Sequence, residues 1–144
     1  MNLLPHFIAS AIMTGLLHPL FGWHSLWIML GGFFIDTDHF LFYGFKFKEW
    51  SLKKAYYFHK VKQSRPGYEK DNLHVFHTIE CWILVALGSI ISLVFQWEFL
   101  FYMTTVTLIG MLFHLLLDWM NMTFRNVWTA RALSISGWVK RSPK

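Results

Sequence analysis

The segment "FLFYMTTVTLIGMLFHLLL", residues 99–117, runs its whole length without an acid, a lysine or an arginine. A helix rises about 1.5 Å per residue, so a run of this length comes close to crossing the roughly 30 Å of hydrocarbon in a bilayer. Residues 72–97 are nearly as bare, with Glu80 as their one acid. Hydrophobic residues make up 55% of the 144-residue chain and charged residues 15%. A soluble domain carries about a quarter charged residues. The chain therefore reads as an all-α integral membrane bundle of about four transmembrane helices, with a short amphipathic cytoplasmic segment.

Working outward from 99–117, the fourth span covers Phe99 to about Asn121. "QWE" is a tight turn before it, and the third span runs from about His74 to Phe95. The second covers roughly Trp23 to Phe45, and "HPLFGWH" separates it, as a Pro/Gly turn, from a short first span of Leu3 to Leu17. The amino-terminal stretch lacks the basic residue that opens a signal peptide, so it is expected to be retained as a helix. The polar stretch 46–72 holds "KEWSLKKAYYFHK", whose aromatics and lysines suit a segment lying on the membrane surface. Residues 1–122, with this loop, are expected to form a four-helix metal-site domain, and 123–144 a basic cytoplasmic tail.

The basic residues give the orientation. All 13 lysines and arginines lie in 46–70 and 125–144. With four spans these two segments and the N-terminus share one side, which the positive-inside tendency makes cytoplasmic. The expected location is the inner membrane, multi-pass, with both termini cytoplasmic. The net charge of +5 then reflects topology and contact with anionic head groups, and no nucleic-acid partner is expected. The single cysteine, Cys81, excludes an internal disulfide.

An ionised carboxylate among apolar side chains is costly unless paired. "GGFFIDTDHFLFYG", residues 31–44, nevertheless places Asp36, Asp38 and His39 in an oily run. Depths assigned at one helical rise per residue bring these three level with His6, with His74, His77 and Glu80, and with His114 and Asp118. All lie toward the cytoplasmic ends of their spans. His114 and Asp118 are i,i+4 and share a helix face; Asp36 and His39 are i,i+3. Asp36 and Asp38 can both converge only if the helix ends or unwinds in this segment, an irregularity that Gly31, Gly32 and Gly44 would permit. His74, His77 and Glu80 would trace a stripe on the third span. His59 is read as a head-group-facing residue, and His18 and His24 as turn residues on the far side.

Imidazole and carboxylate without thiolate suit zinc above all, with manganese or iron as alternatives, and argue against an iron–sulfur cluster. The donors exceed what one tetrahedral ion needs, so one ion or two bridged by a carboxylate are both accommodated. The expected ligands are His6, Asp36, Asp38, His39, His74, His77, His114 and Asp118. Glu80 or Asp38 would act as general base or hold a ligating imidazole in place.

"HFIASAIMTG", "GGFFIDTDHF", "FHTIE" and "FHLLLDWMN" together resemble the small bacterial membrane-bound metal-dependent hydrolases of the YdjM type, through an early histidine, a "PDxDH" segment, a later histidine and "HxxxD". The resemblance implies ligation by His6, Asp36, Asp38, His39, His77, His114 and Asp118. Ile35 replaces the family's proline, and "HVFHTIE" departs from its "HRxxTHS" form. More distantly, the order of ligands is similar to that of zinc-dependent phospholipase C. The implied activity is metal-dependent hydrolysis of an ester or phosphoester, with a lipid or another anionic substrate at head-group depth. Two other classes fit the same residues: a di-iron or haem oxidoreductase of the membrane, and a non-catalytic metal-binding membrane protein.

Overall fold

Gly22 adopts φ +55°, a left-handed conformation that costs glycine little, and it ends the first helix four residues beyond the expected stop at Leu17. The computed structural model describes residues 3–62, 73–125 and 133–141, and these are helical with no strand. The helices are α1 (Leu3–Phe21), α2 (Trp27–Gly32), α3 (Thr37–Phe47), α4 (Leu52–Lys62), α5 (Ile79–Val94), α6 (Glu98–Arg125) and α7 (Ile135–Arg141). Tighter 3₁₀ turns occupy Gly22–Leu26, Phe34–Asp36 and Val75–His77. The parts of the expected loop and tail at 63–72, 126–132 and 142–144 lie outside the described residues.

The expected second span is two helices with a break between them. α2 ends at Gly32, Phe33 leaves helical geometry at φ −123° and ψ −51°, and Phe34–Asp36 turn the chain before α3 begins. The glycines before the break serve close backbone contact. A Cβ on Gly31 would collide with the Thr107 carbonyl and sit 2.6 Å from the Met111 amide nitrogen, and one on Gly110 would collide with the Ile28 carbonyl. α2 and α6 therefore touch backbone to backbone, as small residues allow in helix pairs that pack in lipid.

α6 is the central helix, packed most extensively against α2 and α5 and also against α1. At one end His24 stacks on Tyr102 with ring centroids 4.7 Å apart, and Trp27 meets Phe99 edge-on. At the other, His6 meets Asp118 and His114 meets Gly32. α6 thus runs parallel to α2 and antiparallel to α1 and α5. The α5–α6 turn closes with Gln96 in the left-handed region at φ +56°, the Trp97 amide donating to the Ser92 carbonyl at 2.8 Å and the Gln96 amide to that of Leu93 at 3.2 Å. Those bonds satisfy carbonyls that a helix end would otherwise orphan.

α4 lies on α3 through a small core of Tyr43, Ala55 and Phe58, edged by Phe40 and Phe42. Its lysines Lys53, Lys54 and Lys60 face outward. Two helical stretches, Leu3–Phe47 and Glu98–Phe124, are long and apolar enough to cross a membrane, and only 11% and 28% of their apolar windows are buried within the protein. α5 is a shorter apolar helix. Leu16, Leu20, Leu84, Val94 and Phe95 all project outward from these helices.

One expectation about backbone needs correction. His74 and His77 do not lie on the third helix. His74 is extended, at φ −104° and ψ 95°, and His77 closes a 3₁₀ turn before α5 begins at Ile79. Regular helical spacing therefore does not relate them to Glu80.

Candidate metal centre

Three buried carboxylates and six buried imidazoles meet at one end of this arrangement. α1 contributes His6, and the break between α2 and α3 contributes Asp36, Asp38 and His39. α4 contributes His59, the turn before α5 contributes His74 and His77, and α6 contributes His114 and Asp118. His59 is 0% exposed, and no other side chain of the set exceeds 6%. Among the described residues no lysine or arginine pairs with Asp36 or Asp38. The imidazoles, or a cation they share with the carboxylates, must offset those charges.

The break in the second span allows this convergence. It turns Asp36 toward α6 and Asp38 toward the 74–77 turn. Asp36 Oδ1 lies 3.4 Å from His39 Nδ1, 3.5 Å from His114 Nε2 and 3.6 Å from His77 Nε2. Asp38 braces two rings: Oδ1 is 2.9 Å from His39 Nδ1, and Oδ2 is 3.0 Å from His77 Nδ1 while also accepting the Phe76 amide at 3.0 Å. His6 Nε2 is 3.2 Å from Asp118 Oδ1, and the His6 ring stacks on that of His114.

Two rings reveal what the pocket is built to hold. His114 Nδ1 lies 2.9 Å from the Gly32 carbonyl oxygen, which can only accept, so Nδ1 carries the proton and Nε2 of the neutral ring a lone pair. His77 Nδ1 likewise donates to the Asp38 carboxylate, leaving a lone pair on its Nε2. These two Nε2 atoms lie 3.0 Å apart. Two lone pairs so close repel unless a cation or a shared proton sits between them.

Carboxylate oxygens complete the set. Asp118 Oδ2 is 3.2 Å from His114 Nε2 and 3.9 Å from His77 Nε2, while Asp36 Oδ1 stands 3.5 and 3.6 Å from the same two atoms. A zinc tetrahedron with bonds of about 2.0–2.1 Å has ligand atoms about 3.3–3.4 Å apart. The measured separations, 3.0–3.9 Å, bracket that edge. Buried polar atoms also lack a hydrogen-bond partner at Asp36 Oδ2, His6 Nδ1 and His59 Nδ1. Orphans of this kind cost about 1–3 kcal/mol each unless something else satisfies them. The residues fit a divalent cation, and the groups His6/His114/Asp118, Asp36/His77/His114, Asp38/His39/His77 and His39/His59/His74 each bring one donor atom per residue within 4.8 Å of the others.

Glu80 is placed elsewhere. Its carboxylate accepts the Ile135 amide at 3.0 and 3.1 Å and the Ser136 amide at 3.4 Å, seating α7, and none of the four groups includes it. His59 departs from the head-group reading. Its Nε2 donates to the His39 carbonyl at 2.9 Å, and burial holds its pKa down at about 4. The signal for its inward position was the i,i+3,i+4 spacing of Ala55, Phe58 and His59, one stripe beneath the exposed lysines. His18 and His24 stand apart from the four groups; His18 meets Trp23 edge-on and His24 stacks on Tyr102.

No family model matches this chain, and neither a curated protein nor a solved structure does.

Proposed function

We propose that this chain is a multi-pass bacterial inner-membrane hydrolase that uses a divalent metal, zinc first, to cleave an ester or phosphoester at the cytoplasmic surface. The observation that carries the reading is the facing pair of Nε2 atoms on His77 and His114, 3.0 Å apart, with Asp36 and Asp118 beside them. An ion held there supplies Lewis acidity and an acidified water at neutral pH. Asp36 and Asp118 contribute charge, and the Gly32 carbonyl and Asp38 fix the orientation of the two rings, as partners of metal-bound histidines do. Asp38 fits the role of orienting carboxylate. The resemblance to YdjM-type hydrolases points to the same class of reaction.

Membrane insertion is supported by charge and by exposed apolar surface. The helices that carry the site project leucine, valine and phenylalanine outward along their length, where a soluble protein's core helices would be covered. With α1, α2–α3, α5 and α6 as four crossing runs, the basic segments 46–70 and 125–144 would share one side, and the positive-inside tendency supports a cytoplasmic assignment for it.

A lipid-like substrate is favoured by an apolar groove of about 530 Å³ that reaches Asp38 between Leu41, Phe42, Val75 and Phe76. Lys46 lies at the same groove, its ammonium 5.1 Å from the Phe42 ring centre. A groove of that size suits a hydrocarbon chain, and the lysine suits an anionic head. The test is hydrolysis by detergent-purified protein of a chromogenic phosphodiester and a chromogenic acyl ester. Turnover should require added zinc or manganese, stop on chelation, and vanish in Asp36→Ala and His114→Ala. Metal-loaded wild type inert toward both substrate types would refute the hydrolase reading.

A further inference from the structure

His59 has no role in the centre formed by His77 and His114. His59 is fully buried, yet it comes from α4, the lysine-bearing helix that lies on α3 through a small apolar cluster. Its Nε2 faces a carbonyl and so must carry the proton, which makes Nδ1 the lone-pair nitrogen. That Nδ1 is buried without a hydrogen-bond partner. His39 donates from Nδ1 to Asp38, which leaves its Nε2 as donor atom. The His39 ring stacks on that of His74 with centroids 3.8 Å apart and meets that of His59 at 4.8 Å. One ring nitrogen from each of the three lies within 4.8 Å of the others.

We propose a second divalent-cation site formed by His39, His59 and His74, which clamps α4 onto the end of the bundle. Three imidazoles with a fourth position open are a set that zinc accepts. The site draws on three segments, α3, α4 and the turn before α5. Binding free energy at such a site becomes local folding energy for the segments that supply its ligands, α4 among them. Asp38 links the two sites, because its Oδ1 orients His39 and its Oδ2 orients His77. This inference needs metal at the site but does not depend on any reaction being catalysed.

The test uses zinc on the chelator-stripped full chain in detergent, read by elemental analysis and by hydrogen exchange over 52–62. Wild type should bind two zinc equivalents, and zinc should slow exchange in α4. His59→Gln keeps a donor for the His39 carbonyl and loses the ligand; it should bind one equivalent, with exchange in α4 indifferent to zinc. His74→Gln removes the same ion from a different segment and should give the same result. In Asp118→Asn, which weakens only the other centre, zinc should still protect α4. If wild type binds no more than one equivalent, or both glutamine variants keep the full complement and the zinc-dependent protection, there is no such site.

Discussion

Gly31→Ala tests how closely the metal centre depends on the contact between α2 and α6. The added methyl would collide with the Thr107 carbonyl and lie 2.6 Å from the Met111 amide nitrogen. An ordinary contact needs about 3.5 Å, so the Met111 contact alone parts the helices by about 0.9 Å, and the closer Thr107 carbonyl asks for more. The adjacent Gly32 carbonyl, now 2.9 Å from His114 Nδ1, would retreat to about 3.8 Å or more, beyond hydrogen-bond reach. Overpacking costs about 1–3 kcal/mol, and the lost bond about 0.5–1.5 kcal/mol. Alanine's better helix propensity returns at most about 1 kcal/mol. The net expectation is a loss of about 0.5–4.5 kcal/mol in chemical unfolding followed by circular dichroism in detergent, together with reduced bound metal. Gly15→Ala is the matched control, since a Cβ there meets nothing within 4 Å, and it should leave both readouts at or above wild type. Gly31→Ala with a wild-type unfolding midpoint and wild-type metal content would refute the reasoning.

Three further outcomes are expected. Asp38→Asn disturbs the bracing of His39 and His77 without removing the ligand pair His77/His114, and should weaken metal binding about 10–100-fold, measured by competition with a chromogenic chelator. Glu80→Gln should leave metal content at wild type and speed hydrogen exchange at 133–141, because the carboxylate serves the Ile135 and Ser136 amides; loss of metal would place Glu80 back in the centre. The His59 pKa falls from 6.5 to about 4 on burial, so the unfolded chain takes up a proton that the folded chain refuses. Its contribution to stability is therefore complete above about pH 6.5, declines as the pH falls toward 4, and levels off below that. In metal-free protein the fall in unfolding midpoint between pH 6.5 and pH 4 should be shallower in His59→Gln; equal slopes would contradict the burial of His59.

The residues that meet at the centre were legible because each is an ionisable group in an apolar run, a placement that demands a partner. Asp36 and Asp38, two apart, required a helix break, but glycines stand on both sides of them at Gly31, Gly32 and Gly44, and only the structure places the break after Gly32. Local backbone was harder to read. His74, His77 and Glu80 stand three apart and imitate a helical stripe, but His74 is extended and Glu80 turns to α7, a segment whose docking no local pattern announces. His59 was obscured by the lysines around it. A basic surface helix and a helix that inserts one histidine have nearly the same composition, and only the phase of Ala55, Phe58 and His59 separates them.

The central claim is that buried imidazoles and carboxylates from separate helices meet around a divalent cation. Elemental analysis of protein purified in detergent without chelators measures this directly, with visible absorption taken on the same sample. The account predicts bound divalent metal in wild type, colourless if zinc, that falls by one equivalent in both Asp36→Ala and His114→Ala while helix content is retained. Wild-type protein free of metal, and taking up none on addition of zinc, manganese or iron, would contradict it.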